Sequence, residues 1–163
     1  MNRKEYNIAV KEHSGRLFGY CFKFLQNKED ANDIVQDSFK KLWENRKKVE
    51  FVKCKSWLFT TAHNAMINFK VKKNRMVSMD ILPEKTSNHY FTKALETKDI
   101  LEKVMKGLPP IQKSCILMRD LEGYNYQEIG EVLNLSESQV KVYLFRARKK
   151  LKKQLKELTE LVA

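Results

Sequence analysis

The chain has 163 residues and a formal net charge of +12, with 32 Lys and Arg against 20 Asp and Glu. Hydrophobic residues make up 42% of it, enough for a packed core, so its composition is not that of a disordered chain. Only 5 Gly and 3 Pro are present, which disfavours an all-β fold and a Gly-rich nucleotide loop. The length allows one ordinary domain or two small ones, and a small domain with a thin core is helped by a partner that covers its apolar surface.

The scarce residue types also exclude classes of site. Three Cys far apart and three isolated His predict neither a disulfide framework nor a metal site, and we expect no cofactor. The charged start, MNRKEYNIAV, lacks the apolar segment of a signal peptide, and no apolar run reaches membrane-spanning length. We therefore expect a cytoplasmic protein without membrane insertion.

The first part of the chain is predicted to form three helices. Apolar residues recur at helical spacing over residues 3–25. Asn27 is a suitable N-cap for a second helix, whose first turn carries Glu29 and Asp30. A basic loop over residues 46–55 follows, and Ser56 then begins a third helix that becomes increasingly basic towards its end.

The periodicity is lost between about residues 77 and 92, which we interpret as a flexible linker. Beyond it, one helix ends at Gly107 and the next begins at Pro109 and Pro110. Asn125 then caps a short helix, and the last helix is predicted from residue 137 to about 158 after a Ser136–Gln139 capping box. The chain is predicted to be all-α, with two small helical domains (1–77 and 93–163) joined by a linker (78–92).

The positive charge is concentrated in two stretches. Residues 46–78 carry nine Lys and Arg against one acid, and residues 141–156 carry eight with no acid. The rest of the chain is net acidic. Two unopposed basic stretches favour two nucleic-acid surfaces over a pair of solvated helix faces.

The last two helices have the pattern of a helix-turn-helix. The short helix can pack across the long one through Ile129, Val132, Leu135, Val140 and Leu144, which leaves the start of the long helix free to enter a major groove. The residues predicted to face the DNA bases are Ser138, Lys141, Val142, Phe145 and Arg146. Arg148 and Lys149 are placed to contact phosphates.

Two motifs together resemble the extracytoplasmic-function group of bacterial sigma factors, within the sigma-seventy class. The first is EDANDIVQDSFKKLW followed by SWLFTTAHNAMINF, which is similar to the family's region two. The second is GLPPIQKSCILMRDLEGYNYQEIGEVLNLSESQVKVYLFRARKKL, which is similar to its region four. The two motifs occur in the family's order and cover most of the chain.

The resemblance implies a non-catalytic subunit that binds core RNA polymerase and promoter DNA. The residues implied in core polymerase binding are Asp33, Gln36, Asp37 and Lys40. Those implied in binding the minus-ten element, where Asn64 and the loop 49–55 would hold a flipped base, are Phe51, Val52, Lys53, His63, Asn64, Lys70, Lys72, Lys73 and Arg75. A structural role for His63 is the alternative. The helix-turn-helix would read the minus-thirty-five element through Ser138, Lys141, Val142, Phe145, Arg146, Arg148 and Lys149.

Two other classes of function explain less of the sequence. A polymerase-independent helix-turn-helix regulator accounts for the C-terminal motif but leaves the N-terminal one without a purpose. An enzyme acting on nucleic acid needs paired carboxylates, an activated nucleophile or metal ligands, and the sequence offers no such set. Many members of the family are held inactive by an anti-sigma factor, which makes such a protein a candidate partner.

Overall fold

A computed structural model describes residues 1–79 and 97–162 of the chain. Within these ranges the chain is helical and contains no strand, which confirms the all-α prediction. The helices are α1 (Arg3–Leu25), α2 (Lys28–Glu44), α3 (Cys54–Met79), α4 (Thr97–Lys106), α5 (Pro110–Ile116), α6 (Tyr126–Leu133) and α7 (Glu137–Val162). A 3-10 turn at Phe51–Lys53 precedes α3, and a π-helical segment at Leu117–Leu121 continues α5.

Helices α1 to α3 form the N-terminal unit (residues 1–79), and their boundaries follow local chemistry. Asn27 caps α2 as predicted, its side-chain oxygen accepting from the Asp30 N–H at 3.0 Å. Helix α3 begins at Cys54, two residues before the predicted Ser56, because the 3-10 turn leads directly into it. It continues through Met79, two residues into the segment predicted as linker. Residues 80–92 of that segment lie outside the described residues.

Helices α4 to α7 form the C-terminal unit (residues 97–162). Both predicted caps of the helix-turn-helix are present. Asn125 and Glu128 exchange two hydrogen bonds of 2.8 Å at the start of α6. Ser136 and Gln139 do the same at 2.9 and 3.1 Å before α7. Helix α7 runs to Val162, beyond the predicted end, and its buried side presents Val140, Leu144 and Ala147.

The two units pack against each other. The ring of Phe59 on α3 meets the ring of Tyr124 edge-on, with centroids 5.3 Å apart. Tyr20 on α1 is fully buried and lies 2.9 Å from the hydroxyl of Ser114 on α5. In this conformation each small helical unit therefore covers apolar surface of the other.

Candidate nucleic-acid and protein interfaces

One face of α2 is polar and solvated. Asp33, Gln36, Asp37 and Lys40 are all exposed, and their spacing of three, one and three residues places them on the same side of the helix. The Asp37 carboxylate pairs with Lys41 at 2.9 Å. The opposite side is buried through Ala31, Phe39 and Leu42. The core of the N-terminal unit thus fixes the direction in which the four predicted polymerase-binding side chains point.

The basic loop over residues 46–55 borders a surface cavity of about 290 Å³. Val49, Glu50 and Lys53 of the loop line it together with Trp57 at the start of α3. Val52 at the tip of the loop is 83% exposed, whereas Phe51 is half-buried. Asn64 is exposed on α3 but is not part of this lining, since it lies about 10 Å along the helix from Trp57.

Three residues that line this cavity were not among the predicted site residues: Asn45, Lys48 and Trp57. Lys48 was counted only as charge, and Trp57 only as the start of a helix. The sequence predicted a loop here and not the 3-10 turn at Phe51–Lys53, which separates Lys48 from Trp57 along the chain.

The basic end of α3 is exposed to solvent except at Lys70. Lys72, Lys73 and Arg75 are exposed. Lys70 is half-buried, with its Nζ 4.9 Å from the centre of the Phe24 ring. Burial, and secondarily the charge of Lys73, lowers the pKa of Lys70. This lysine therefore packs against the protein as well as carrying charge.

His63 is not available to DNA in this conformation. It is 7% exposed, and its Nδ1 lies 2.8 Å from the Ser114 hydroxyl and 3.1 Å from the Tyr20 hydroxyl. Burial lowers the pKa of His63 to about 4, so the ring is neutral at physiological pH. The sequence placed His63 with Asn64 because the two are adjacent, but adjacent helical residues point about 100° apart and only Asn64 faces solvent.

The turn of the helix-turn-helix depends on a close backbone approach at Gly130 in α6. A Cβ at this position would lie 2.5 Å from the Leu135 carbonyl oxygen. The Leu135 N–H donates to the Gly130 carbonyl at 2.9 Å, and Asn134 adopts a left-handed conformation with φ 55°. These contacts bring α6 tightly across α7, which leaves the outer side of α7 uncovered.

That outer side is basic, with two large apolar side chains among the charges. Phe145 is 67% exposed and Val142 44% exposed. Arg148 pairs with Asp120 at 3.2 Å, which fixes its direction. The predicted minus-thirty-five residues that are exposed on α7 are Ser138, Lys141, Val142, Phe145, Arg146, Arg148 and Lys149.

Tyr126 at the start of α6 was missed by the sequence analysis and belongs to the same surface. The Nζ of Lys141 lies 5.7 Å from its ring centre, and Arg119 lies 5.0 Å from it. A cavity of about 390 Å³ joins this tyrosine to the outer side of α7, including Phe145 and Lys149. An aromatic platform under two cations suits a polyanionic ligand.

Other kinds of site find no support in the part of the chain that the structure describes. Across residues 1–79 and 97–162, no three His, Cys, Asp or Glu residues are grouped to hold a metal ion. None of the helices there has the length and apolarity needed to span a bilayer.

Comparison with protein-family models gives two matches in the order expected from the motifs. Residues 9–76 match the sigma-70 region 2 model, and residues 98–151 match the sigma-70 region 4 model. The first match covers most of α1, all of α2 and the basic loop, and most of α3. The second runs from α4 into α7 and includes the helix-turn-helix.

Individual relatives are similar in sequence to most of the chain. The ECF RNA polymerase sigma factor SigM of Bacillus subtilis is 30% identical over 140 residues, 83% of this chain and 86% of the relative. The ECF RNA polymerase sigma-E factor of Haemophilus influenzae is 26% identical over 175 residues, 96% of this chain and 90% of the relative.

Solved structures share the fold. The sigma factor RpoE of Bartonella quintana, in complex with the anti-sigma factor NepR, matches with a TM-score of 0.77 at 22% identity, over 94% of this chain and 98% of that one. CnrH, in complex with the cytosolic domain of CnrY, matches with a TM-score of 0.70 at 21% identity, over 96% and 90%.

The alternative of a polymerase-independent regulator leaves the whole N-terminal match unexplained. Both sigma regions, their order and the full-length relatives agree instead on one family. The chain belongs to the extracytoplasmic-function sigma factors of the sigma-70 family, which bind core RNA polymerase and direct promoter recognition and transcription initiation.

Proposed function

We propose that this sigma factor uses three separate surfaces to bind core polymerase and the two promoter elements. The exposed face of α2 docks core polymerase. The loop 46–55, Asn64 and the basic end of α3 bind the minus-ten element after its strands separate. The outer side of α7 reads the minus-thirty-five element as duplex DNA. The observation that carries this division is that two strongly basic surfaces lie on separate units, while the polar face of α2 carries two acids.

The α2 face suits a basic protein surface more than DNA. Asp33 and Asp37 would repel phosphates, and complementary charge on a partner both speeds association and fixes its register. Phosphate-binding charge is instead supplied by α7 and by the end of α3, and each neutralised phosphate adds to the salt dependence of DNA binding.

The minus-ten surface suits single-stranded DNA. A flipped base must recover a few kcal/mol of lost stacking and pairing, which aromatic and polar side chains can return. The cavity beside Trp57 supplies an aromatic wall, and Lys48 and Lys53 supply cations at its edge. Asn64 offers an amide to a neighbouring base edge further along α3.

The minus-thirty-five surface suits a major groove. Four side chains follow one line along the first two and a half turns of α7, the part of a recognition helix that enters the groove: Ser138, Lys141, Val142 and Phe145. Their chemistry is mixed, so hydrogen bonds and contacts with thymine methyl groups both contribute to base selection.

We further propose that the protein works in the cytoplasm, catalyses no reaction of its own and is controlled by an anti-sigma factor. Two proteins of the same fold have been solved in complexes, the sigma factor RpoE with the anti-sigma factor NepR and CnrH with the cytosolic domain of CnrY.

Transcription in vitro tests the proposal directly. Purified core polymerase, this chain and a genomic promoter library are combined, and the transcript starts are sequenced. We expect starts that depend on the chain and share two upstream elements at a constant spacing. Starts that share no upstream element would refute promoter selection by these surfaces.

A further inference from the structure

One carboxylate lies beside the proposed minus-thirty-five surface and pairs with one of its cations. A carboxylate oxygen of Asp120 lies 3.2 Å from a guanidinium nitrogen of Arg148 on α7. Among the residues that the structure describes, Arg148 is the only cation of the basic stretch 141–156 with a carboxylate partner. The pair therefore distinguishes Arg148 from the other cations of α7.

The position of Asp120 is set by the π-helical segment Leu117–Leu121. The Glu122 N–H donates to the Leu117 carbonyl at 3.2 Å, which closes a wide turn of this segment. Leu117 and Met118 are buried, so the segment is anchored in the core of the C-terminal unit. The Asp120 side chain is exposed. The fold thus holds a carboxylate beside α7 from a different part of the chain.

The pair is open to solvent and to DNA. The side chains of Arg148 and Asp120 are 50% and 55% exposed. Arg148 also lines the cavity of about 390 Å³ that joins Tyr126 to the outer side of α7. Because an exposed ion pair contributes little to stability, structural support does not account well for this one. A phosphate that reaches the cavity competes with Asp120 for the guanidinium.

This competition lowers the affinity for DNA of any sequence. A cation that neutralises a phosphate releases a condensed counterion, and such release supplies nearly all of non-specific DNA binding. While Arg148 is paired with Asp120 it neutralises no phosphate, and the carboxylate repels phosphates as well. The pair therefore removes one phosphate contact from the non-specific complex.

The same pair costs less at a promoter. There the base contacts of α7 fix the register of the helix, so a phosphate lies at a set position relative to Arg148. A guanidinium whose direction is already fixed loses little side-chain entropy on contacting that phosphate, which offsets the repulsion from Asp120. The ratio of specific to non-specific affinity decides which sites are occupied in a genome, and the pair raises this ratio.

We propose that Asp120 is a specificity-determining residue, which restrains Arg148 and so limits the binding of this sigma factor to DNA outside its promoters. Asp120 acts through Arg148 and needs no contact of its own with the DNA. This role rests on the proposed minus-thirty-five surface and adds to it a residue from outside the helix-turn-helix.

Binding of the full chain to a labelled random-sequence duplex, measured by fluorescence anisotropy over a series of salt concentrations, tests the restraint. Asp120→Asn should raise the affinity about fivefold at about 0.15 M salt and steepen the salt slope by about 0.9, the contribution of one further phosphate contact. Asp120→Glu keeps the carboxylate and should behave like the parent chain. Glu131→Gln removes an exposed acid of α6 and is the matched control for net charge. An unchanged slope in Asp120→Asn would overturn the proposal.

Arg148→Ala separates a local restraint from a general gain in positive charge. Once Arg148→Ala is present, Asp120→Asn should no longer change the affinity for random DNA, because the residue it releases is gone. An equal gain with and without Arg148 would overturn the proposal. Because both side chains are exposed, every variant should keep the helical circular dichroism of the parent chain.

A duplex that carries the minus-thirty-five element recovered by transcription in vitro completes the comparison. Asp120→Asn should change the affinity for this duplex by less than about twofold, so the ratio of specific to non-specific affinity falls by at least about twofold. An unchanged ratio would overturn the specificity role. If Arg148→Ala does not weaken binding to this duplex, the proposed minus-thirty-five surface is itself wrong. If Arg148→Ala weakens it but Asp120→Asn changes nothing, only the role of Asp120 is overturned.

Discussion

The two proposed DNA surfaces of this sigma factor differ in how completely the fold prepares them. On α7 the side chains stand on a regular helix, fixed by a capping box at its start and by the close approach of Gly130. The minus-ten surface combines an irregular loop, a half-buried Lys70 and a flank that α6 covers. A surface that reads intact duplex can be preformed, whereas a surface that captures separated strands is needed only after the DNA strands have parted.

The largest effect is expected from variants of the α2 face, because both DNA surfaces depend on the binding of this face to core polymerase. Asp33→Arg with Asp37→Arg reverses two charges on the exposed face of α2 and should weaken core polymerase binding by about 100-fold, because like charges brought together cost several kcal/mol. Affinity can be measured by fluorescence titration of core polymerase. Glu157→Arg with Glu160→Arg makes the same charge change on exposed sites of α7 and should leave core affinity nearly intact. Equal losses in the two double variants would contradict docking through α2.

The turn between α6 and α7 can be disrupted by adding one methyl group at Gly130. Gly130→Ala places a methyl group 2.5 Å from the Leu135 carbonyl oxygen and should lower the free energy of unfolding by about 1–3 kcal/mol. Gly15→Ala, in α1 with no atom within 4 Å of the added methyl group, should instead raise it by about 0.5–1 kcal/mol. Urea denaturation distinguishes the two. A neutral Gly130→Ala would mean that the turn is looser than the structure shows.

Base reading by α7 can be separated from phosphate binding. If Arg146 contacts a base edge, Arg146→Ala should cost about 1–3 kcal/mol of discrimination at one position of the minus-thirty-five element. Lys149→Ala is the control, since loss of a phosphate contact weakens all sequences alike and flattens the salt dependence. Lys150 is a poorer control, because its ammonium donates to the Gly107 carbonyl. Binding measured over a set of single-base promoter variants decides between the two roles.

A smaller effect is expected from pH. The pKa of His63 is held near 4 while the units are closed and returns towards 6.5 when the ring meets water. A form in which His63 is exposed therefore binds an extra proton between these values, so the contribution of His63 to the packing of the two units is complete above pH 6.5 and is lost as the pH falls towards 4. The radius of gyration should be larger at pH 5 than at pH 7.5, and His63→Gln should lose most of this dependence. The facing groups, Tyr20 and Ser114, stay neutral over the range, since burial raises the pKa of Tyr20.

Local chemistry made most of the fold predictable. The side chains of Asn27, Asn125 and Ser136 make the capping bonds expected of them, and the apolar spacing of α7 identified its buried side. The packing of one unit on the other was not predictable, because it depends on contacts between residues about 70 to 95 positions apart. For the same reason the sequence grouped His63 with Asn64. Trp57 and Tyr126 were not selected because each joins its surface across a turn, Trp57 beside Lys48 and Tyr126 beside Lys141.

The central claim is that the N-terminal unit acts on separated strands and the C-terminal unit on duplex. Open-complex formation, followed by permanganate footprinting on duplex and on pre-melted promoter templates, tests it most directly. Asn64→Ala should slow opening of duplex promoter by about tenfold and recover on the pre-melted template, where the cost of unpairing is already met. Arg146→Ala should be defective on both templates. A pre-melted template that rescues both variants equally, or neither, would contradict the division of labour between the two units.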